Sequence, residues 1–399
     1  MNPELFRDSP SGRVTRVAHD QEPYWAFVPN RLPPKLPVDW DFVSTIDEAS
    51  GALHELAGLG RNIPNPHLLI GPFLRREAIL SSRIEGTQAD VTELYAYEVG
   101  RRRLPRMDSE SFSSGVREVA NYVRALEYGL DRVKSVPVSL RVIKELHERL
   151  MAGVRGERSR PGDFRRIQNY IAPHRDVPIH EATFVPPPVN QMHEALDAFE
   201  EYLHNKDVYP PLVRLALIHY QFEAIHPFED GNGRIGRLLI SLLLVEWGLL
   251  PLPLLYLSAF FERFRDDYFD LLLAVSQRGT WRDWVIFFLR GVAEQSRDAM
   301  TMATRLQDLQ IQWRQRLTRA RASALLLRLA DSLFQSPWLT IPEARRILDV
   351  SYPSARYNVL KLVDAGILRQ MGDASYGKIY VSEEILDLMR ERWEEHRAS

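Results

Sequence analysis

Apolar positions recur at three- and four-residue steps along most of the chain, and this pattern predicts helices. The spacing is clearest after Pro211, at Val213, Ala216, Leu217 and Tyr220. The same spacing predicts further helices at about 39–59, 72–84, 112–134, 137–153 and 190–204. The fold class is therefore predicted to be all-α.

Two segments depart from the helical pattern. Residues 1–38 are rich in Pro and Arg without a sustained period, so an irregular N-terminal arm is predicted. Residues 166–188 carry strand-forming side chains between turn-forming ones, which predicts a short β-hairpin inside a helical domain. Pro186 to Pro188 are expected to end the second arm of this hairpin.

A polar segment, HPFEDGNGRIGR at 226–237, interrupts the helical pattern and is followed by LLISLLLVEWG. The second stretch is apolar on every side, and a helix without a polar face normally lies at the centre of a bundle. A loop full of polar groups is therefore predicted to join two helices, the second of them deeply buried.

This loop has the residue types that bind a nucleotide phosphate. Gly231 and Gly233 allow the backbone to expose successive N–H groups, and the N-terminus of the next helix favours an anion at the same place. Arg234 and Arg237 are three residues apart, so both can reach phosphate oxygens from one helix face. The pattern indicates a di- or triphosphate site.

The same loop offers a metal ligand and a base. Asp230 is a hard oxygen ligand for Mg²⁺ beside the phosphates, and the imidazole of His226 can act as a neutral base near pH 7. Taken singly, each residue has a plainer interpretation: the Asn-Gly pair as a turn, the arginines as solvated surface residues, and His226 as a hydrogen-bonded core histidine. GNGRIG also matches a dinucleotide-binding fingerprint, but the strand and βαβ context which that fingerprint needs are missing.

The segment HPFEDGNGRIGR resembles the Fic-family signature HPFx[DE]GNGRxxR at every specified position. Residues 40–295 resemble family members with an N-terminal regulatory helix. The resemblance implies an all-helical Fic core with a hairpin flap, and an enzyme that transfers AMP from ATP to a Tyr, Thr or Ser hydroxyl and releases pyrophosphate. The two intact loop glycines favour nucleotidyl transfer over phosphoryl transfer.

The resemblance also implies a role for each signature residue. His226 would remove the proton of the target hydroxyl, Asp230 would hold Mg²⁺, and Phe228 would anchor the loop in the core. The other signature residues would bind the phosphates of ATP: Gly231, Asn232 and Gly233 as a cradle, Arg234 near the β-phosphate and Arg237 at the γ-phosphate.

Two further regions are given roles by the resemblance. The hairpin at 166–188 stands at the position of the family's flap, which holds a segment of the target protein as an added strand. Thr183 and Phe184 are the predicted nucleotide contacts there. Tyr268 stands where relatives place an aromatic residue against adenine, while Phe269 replaces the second Tyr of the relatives. Packing alone is the other interpretation of Tyr268.

SSRIEG at 81–86 resembles the family's inhibitory pattern [ST]xxxE[GN] through Ser81, Glu85 and Gly86. Ser81 and Glu85 are four apart on one helical face. A carboxylate delivered to Arg237 would occupy the arginine that the γ-phosphate needs, so the resting enzyme is predicted to be off. In the alternatives, Glu85 is an ordinary surface residue, or it positions water so that the same site removes AMP.

Residues 320–399 have the pattern of a separate small domain. An apolar helix at 321–335 is followed by a capping box, Thr340 with Glu343, a helix ending near Asp349, and a helix from Ser351 to about Ala365. Strand-like ILRQ and KIYV complete a predicted winged helix. Its second close-spaced helix would expose five side chains to a partner: Ser354, Arg356, Tyr357, Asn358 and Lys361.

The sequence does not decide whether this domain binds DNA or a protein. Residues 340–380 carry six Lys/Arg against four Asp/Glu, a net of only +2, so DNA binding competes with docking to the target or to a second copy. A DNA-binding regulator whose Fic domain only senses nucleotide is the alternative function. The predicted domains are 1–100 (arm and regulatory helices), 101–300 (Fic catalytic domain) and 301–399 (linker helix and winged helix).

Composition excludes several classes. The formal net charge is −2, so the whole surface has no electrostatic preference for nucleic acid or membrane. Cysteine is absent, which excludes disulfides and thiolate nucleophiles. No apolar leader or membrane span is expected, and the cytoplasm is the predicted location. Self-modification and a homodimer are compatible with this picture.

Overall fold

The computed structural model describes residues 1–18, 23–62, 67–103, 113–154, 160–174, 176–205, 207–319, 323–371 and 378–389. Helices make up most of this part of the chain. In chain order they are α1 Trp40–Asn62, α2 His67–Ile84, α3 Val91–Arg103, α4 Ser114–Arg132, α5 Leu140–Leu150, α6 Val189–His204, α7 Pro211–Ile225, α8 Asn232–Glu246, α9 Ser258–Arg263, α10 Arg265–Arg278, α11 Trp281–Arg319, α12 Ala324–Ser332, α13 Ile341–Leu348 and α14 Tyr352–Asp364.

The predicted irregular arm at 1–38 is wrong. Strands β1 (Gly12–Val17) and β2 (Tyr24–Pro29) form an antiparallel hairpin in which Gly12 pairs with Pro29 and Val17 with Tyr24. The burial of β2 explains the hairpin, because Ala26 and Phe27 are fully buried and Phe27 N donates to Val185 O at 2.8 Å. The first strand is polar and half-exposed, so it lacks an apolar alternation that the sequence could reveal.

α7 and α8 form the centre of the helical domain. Every residue of α8 from Arg234 to Leu244 is buried, as expected for a helix without a polar face. α7 begins at Pro211, whose missing N–H costs nothing in the first turn of a helix. The loop between the two helices is the predicted phosphate-binding segment, which therefore lies on a rigid support.

α2 is fixed in the core at its middle. Glu77 is 2% exposed, and its carboxylate accepts hydrogen bonds from Tyr122 OH at 2.9 Å and from Ser258 Oγ at 2.6 Å. Near its first turns the helix lies against the C-terminal domain: a Cβ at Gly71 would stand 2.7 Å from Gln335 O. The last turn of α2 carries Ser81 and ends at Ile84.

The C-terminal domain contains α12, α13 and α14 with strands β3 (Trp338–Thr340), β4 (Arg369–Met371) and β5 (Ile379–Val381) in the order β3-β5-β4. The capping box of Thr340 and Glu343 is present at the start of α13. The segment 372–377 between β4 and β5, which belongs to the predicted DNA-contacting range 340–380, lies outside the described residues.

One predicted surface residue of α14 is not on the surface. Asn358 is 5% exposed, and its amide donates to Ser354 O at 2.9 Å, so it packs inside the domain. Tyr357 is 59% exposed and lies beneath Lys361, whose Nζ is 4.6 Å from the ring centroid. Arg356 is also exposed. Among the described helices, none combines the length and the apolar character that crossing a membrane requires.

Candidate active site

His226 closes α7 in a left-handed conformation, with φ 49° and ψ 60°. Its Nδ1 lies 3.3 Å from Glu223 O. A carbonyl oxygen can only accept, so Nδ1 carries the proton and Nε2 keeps its lone pair. Burial lowers the pKa of His226 to about 4, and Arg165 adds to the lowering. The imidazole is therefore neutral at physiological pH and has one nitrogen available as a base.

The loop after His226 is held from inside by Asn232. The Asn232 side chain accepts from Phe228 N and donates to Phe228 O, both at 2.8 Å, and is 2% exposed. Phe228 is fully buried, in agreement with its predicted position as the anchor of the loop. Asn232, predicted as part of the phosphate cradle, thus shapes the loop with its side chain, while its backbone opens α8.

A histidine that the sequence analysis missed supports the same loop. The ring of His147 stacks on Phe228 with centroids 3.7 Å apart, its Nε2 donates to Asp230 O at 3.0 Å, and its Nδ1 accepts from Gly162 N at 3.0 Å. Burial lowers its pKa to about 4. No local pattern reveals this role, because His147 lies on α5, far from the loop in the sequence.

Asp230 lies at the open side of the loop and contacts the buried Arg234. The Asp230 side chain is 54% exposed, and its Oδ1 accepts from Gly231 N at 2.6 Å and from Arg234 Nη2 at 3.3 Å. Arg234 also lies 3.4 Å from the Glu118 carboxylate. Glu118 in turn accepts from Thr87 Oγ1 at 2.9 Å, so it connects the loop with the chain just after α2.

Two glycines of the loop fit where no side chain could. Gly231 has φ 84°, in the left-handed region that favours glycine. A Cβ at Gly233 would stand 2.2 Å from Glu85 Oε1 and 3.0 Å from Arg237 Nη1. The start of α8 therefore has no side chain at Gly233, at a place where the positive potential of the helix end favours an anion.

Arg237 is 1% exposed and is held by the last turn of α2. Its Nε donates to Ser81 Oγ at 2.9 Å, and its Nη2 donates to Ser81 O at 2.9 Å and to Glu85 Oε1 at 2.7 Å. Burial favours the protonated form of Glu85, but Arg237 outweighs it and lowers the pKa of this carboxyl. The ion pair predicted from the sequence is therefore present, and Gly86 ends the turn with φ 88°.

The segment 166–188 contains one antiparallel bridge, between Ile171 and Phe184, where a hairpin was predicted. It is fastened directly to the loop by two residues that the sequence analysis missed. Arg165, 1% exposed, donates from N to Pro227 O at 2.8 Å and from Nε to His226 O at 3.0 Å. Asn169 Nδ2 donates to Phe228 O at 2.7 Å. Arg175, inside the predicted flap, lies outside the described residues.

The two predicted nucleotide contacts of this segment differ in position. Thr183 is exposed and its N–H donates to Ile171 O at 2.9 Å. Phe184 is 6% exposed and packs between Phe6 and Phe27, with centroids at 6.2 and 5.8 Å. Phe184 thus fills the core beneath the N-terminal hairpin in this structure, and its nucleotide contact stays a prediction.

Tyr268, predicted to contact adenine, is 1% exposed. Its OH is 2.8 Å from His219 Nε2, and its ring stacks on Phe261 at 4.5 Å. These contacts favour the packing interpretation that the sequence left open. The neighbouring Phe269 is 39% exposed and lies under the Arg265 guanidinium at 4.9 Å, so the aromatic surface here belongs to Phe269.

The buried helix pair and the loop between them are those of a Fic/DOC protein. Residues 43–131 match the model described as Fic/DOC family N-terminal, and residues 137–244 match the model described as Fic/DOC family. The chain belongs to the Fic/DOC family.

Two similar relatives are each called protein adenylyltransferase Fic. The one from Aedes aegypti is 31% identical over 169 residues, which is 42% of this chain and 30% of that protein. The one from Nematostella vectensis is 29% identical over 198 residues, 48% of this chain and 41% of that protein. The chain thus matches less than half the length of either relative.

A solved structure shows the same fold. A Fic family protein from Desulfovibrio desulfuricans G20 superposes with a TM-score of 0.55 at 20% identity, covering 88% of this chain and 98% of that one. The helical fold with few short strands is therefore shared with a Fic protein.

Proposed function

We propose that this chain is a protein adenylyltransferase, which transfers AMP from ATP to a Tyr, Thr or Ser hydroxyl of a protein and releases pyrophosphate. The observation that carries the proposal is the position of His226. Its free Nε2 stands at the start of a glycine-containing loop that leads into Arg234 and Arg237. The adenylyltransferase names of the two relatives point to the same reaction.

The chemistry follows from this arrangement. The target hydroxyl oxygen attacks the α-phosphorus of ATP, and the bond from that phosphorus to the bridging oxygen breaks, so the electron pair leaves with pyrophosphate. Nε2 of His226 takes the hydroxyl proton, because Nδ1 is committed to Glu223 O. A general base of this kind contributes on the order of 10²–10⁴ in rate.

Asp230 fits the ligand that Mg²⁺ needs at such a site. Its half-exposed carboxylate lies at the mouth of the loop, and no cluster of three or more His, Asp or Glu that could hold a metal is found among the described residues. Mg²⁺ typically uses one or two carboxylates and completes its shell with water and substrate phosphates. When bound, it would neutralise phosphate charge.

The resting enzyme is proposed to be inhibited by Glu85. This carboxylate occupies Arg237, which by the family resemblance would bind the γ-phosphate, and it also stands where a phosphate would approach Gly233. A nucleotide could then bind only with its terminal phosphate displaced. The alternative in which Glu85 positions water for AMP removal uses the same contacts and is separated by measuring release of AMP from a modified protein.

The target segment is proposed to lie along residues 166–188. Ile167 is 63% exposed and Tyr170 36% exposed, and both flank Asn169, which is bonded to the loop. A strand added there would place its hydroxyl near His226. Self-modification uses the same site when the acceptor belongs to this protein.

The C-terminal elements fit a winged helix, and its role is proposed to be docking of a protein, either the target or a second copy in a homodimer. α14 exposes Tyr357 and Arg356, which are residue types that protein interfaces favour. The net charge of +2 over 340–380 gives little attraction for phosphate backbones. Binding of a labelled DNA duplex with a steep salt dependence would instead favour the DNA-binding alternative.

One experiment separates the proposed reaction from its rivals. The protein is incubated with a cell extract and with ATP labelled at the α- or the γ-phosphate, using the wild-type chain and Glu85→Gly. Label retained on protein only from the α-position supports AMP transfer. Retention of γ-label means phosphoryl transfer, and no label from either position with Glu85→Gly would leave only nucleotide sensing.

A further inference from the structure

Arg237 lies between two carboxyl groups, and only one of them is bound to it. Glu85 reaches the guanidinium from the turn after α2, while Glu223 approaches from α7. Each carboxyl fits against a glycine of α8: a Cβ at Gly233 would stand 2.2 Å from Glu85 Oε1, and a Cβ at Gly236 would stand 2.3 Å from Glu223 Oε1. The first turns of α8 are therefore shaped to admit two acids beside one arginine.

Two polar atoms in this cluster have no hydrogen-bond partner among the described residues. They are Oε1 of Glu223 and Nη1 of Arg237, and both are buried. A buried carboxyl oxygen without a donor is costly, so its presence beside a cation that has a free N–H calls for an explanation. The mechanism above uses the backbone carbonyl of Glu223 and leaves its side chain without a role.

Four side chains, from three helices and from the turn after α2, surround the carboxyl group of Glu223. Arg237 on α8 favours its ionised form, whereas Glu85 in the turn after α2 opposes it. Tyr268 on α10 and neutral His219 on α7 complete the surroundings. Burial raises the pKa of Glu223 to about 8; the negative charge of Glu85 adds to the rise, and Arg237 opposes it. With Glu85 in place, the single positive charge of Arg237 is already balanced and Glu223 keeps its proton at neutral pH.

We propose that Glu223 is a positioning residue that acts as the reserve counter-ion of Arg237. When Glu85 leaves the guanidinium, Glu223 releases its proton to solvent and holds Arg237 in place through the free N–H. When the terminal phosphate of a nucleotide arrives, Glu223 takes a proton back from solvent and the phosphate replaces it as the counter-charge. Binding of ATP to the released enzyme thus includes uptake of a proton by Glu223.

This inference rests on the proposed function for its ligand, ATP. It is tested by calorimetry of ATP and Mg²⁺ binding to the full chain carrying Glu85→Gly, with His226→Ala added to prevent turnover. Proton uptake is obtained from the dependence of the binding enthalpy on the ionisation enthalpy of the buffer at about pH 7.5. The same chain with Glu223→Gln is expected to take up less, by about half a proton or more.

The matched control is Glu246→Gln at the other end of α8. Burial raises the pKa of Glu246 too, but this carboxylate accepts from Val138 N at 2.6 Å and does not face the loop. Its substitution should leave the uptake unchanged. If ATP binds and the proton uptake is equal with Glu223 and with Glu223→Gln, the role of Glu223 as reserve counter-ion is overturned and the proposed function is not. If ATP binds to none of these chains, both the proposed function and the role of Glu223 are overturned.

A second measurement needs no change at position 223. The infrared carbonyl band of a protonated carboxylic acid should be present in the resting wild-type chain, weaken in Glu85→Gly, and return when ATP and Mg²⁺ are added to that variant. A structural role for Glu223 would leave the band constant. A band that stays unchanged between wild type and Glu85→Gly would count against the proposal even if Glu223→Gln failed to fold.

Discussion

The two arginines of the loop, Arg234 and Arg237, are alike in sequence and different in surroundings. Both are nearly fully buried on α8, and each faces an acid from outside the loop: Glu118 on α4 for Arg234, and Glu85 in the turn after α2 for Arg237. Arg237 makes three hydrogen bonds of 2.7–2.9 Å to Ser81 and Glu85. Arg234 has only longer contacts, 3.3 Å to Asp230 and 3.4 Å to Glu118.

Under the proposed function, this difference indicates which arginine would control nucleotide binding. Short charge-assisted bonds with good geometry are roughly twice as strong as neutral ones, whereas contacts beyond about 3.3 Å add little. Arg237 is therefore occupied in the resting chain, and Arg234 is loosely held and can turn to a phosphate at low cost. With the phosphate roles that the family resemblance implies, a nucleotide would meet resistance at its γ-phosphate and little at its β-phosphate.

The largest expected effect sets the baseline for this comparison. His226→Ala removes the proposed base without touching either arginine, so AMP incorporation should fall on the order of 10²–10⁴. The measurement is label from α-labelled ATP on protein, in the Glu85→Gly chain. ATP affinity is the control and should stay within a few-fold. Full activity in this variant would refute the assigned chemistry.

The second-largest effect is expected from removing the contact between Glu85 and Arg237. Glu85→Gly, or Glu85→Gln which keeps the shape, should raise AMP incorporation by roughly 10- to 100-fold, because a charge-assisted bond is worth about 1.5–3 kcal/mol. Initial rates with α-labelled ATP measure it. Unchanged rates in both variants would remove Glu85 from the control of the site.

The crowding of acids around Arg237 should also affect stability. The folded chain holds the proton of Glu223 up to about pH 8, while the unfolded chain releases it near 4.5. Stability of the wild type should thus fall as pH rises from about 4.5 to 8. Glu223→Gln does not titrate, so its free energy of unfolding relative to that of the wild type should increase by roughly 3–4 kcal/mol between pH 5 and pH 8. Urea unfolding of both chains at pH 5 and pH 8 measures this. The same difference in the free energy of unfolding between the two chains at both pH values would contradict it.

The smallest effect is expected on the Arg234 side. Glu118→Gln removes a distant counter-charge, so KM for ATP should change by less than about fivefold with kcat preserved, since a weak pair is worth about 1 kcal/mol or less. The comparison is made in the Glu85→Gly chain by initial rates. An effect as large as that of Glu85→Gln would erase the distinction between the two arginines.

The site could be predicted from sequence where its residues are consecutive. The loop residues from His226 to Arg237 lie in one short segment. The pattern around Glu85 is short and weak alone, and Glu85 was found because the same chain carries the complete loop signature. The supports of the loop, Arg165, His147 and Glu118, could not be found, because each reaches it from a distant helix or segment through a buried contact. Such contacts depend on tertiary packing, which spacing along one chain does not report.

The fold shows the same limit. The long amphipathic helices were predicted within a few residues at each end, as for α1 and α6. α3 was missed, since its mixed polarity leaves no clear apolar stripe. The hairpin of β1 and β2 was also missed, because burial against Val185 rather than a local pattern stabilises it.

The buried carboxyl group of Glu77 limits how Glu85 can leave Arg237, the step that would relieve the proposed inhibition. Sliding α2 along its axis would pull this buried acid away from its hydrogen-bond donors Tyr122 and Ser258, which costs about 1–3 kcal/mol. Beyond it, Glu85 is 36% exposed and the next residue is a glycine in a turn. Release of Arg237 should therefore proceed by unwinding of the last turn of α2 near Glu85, while the rest of α2 stays in place.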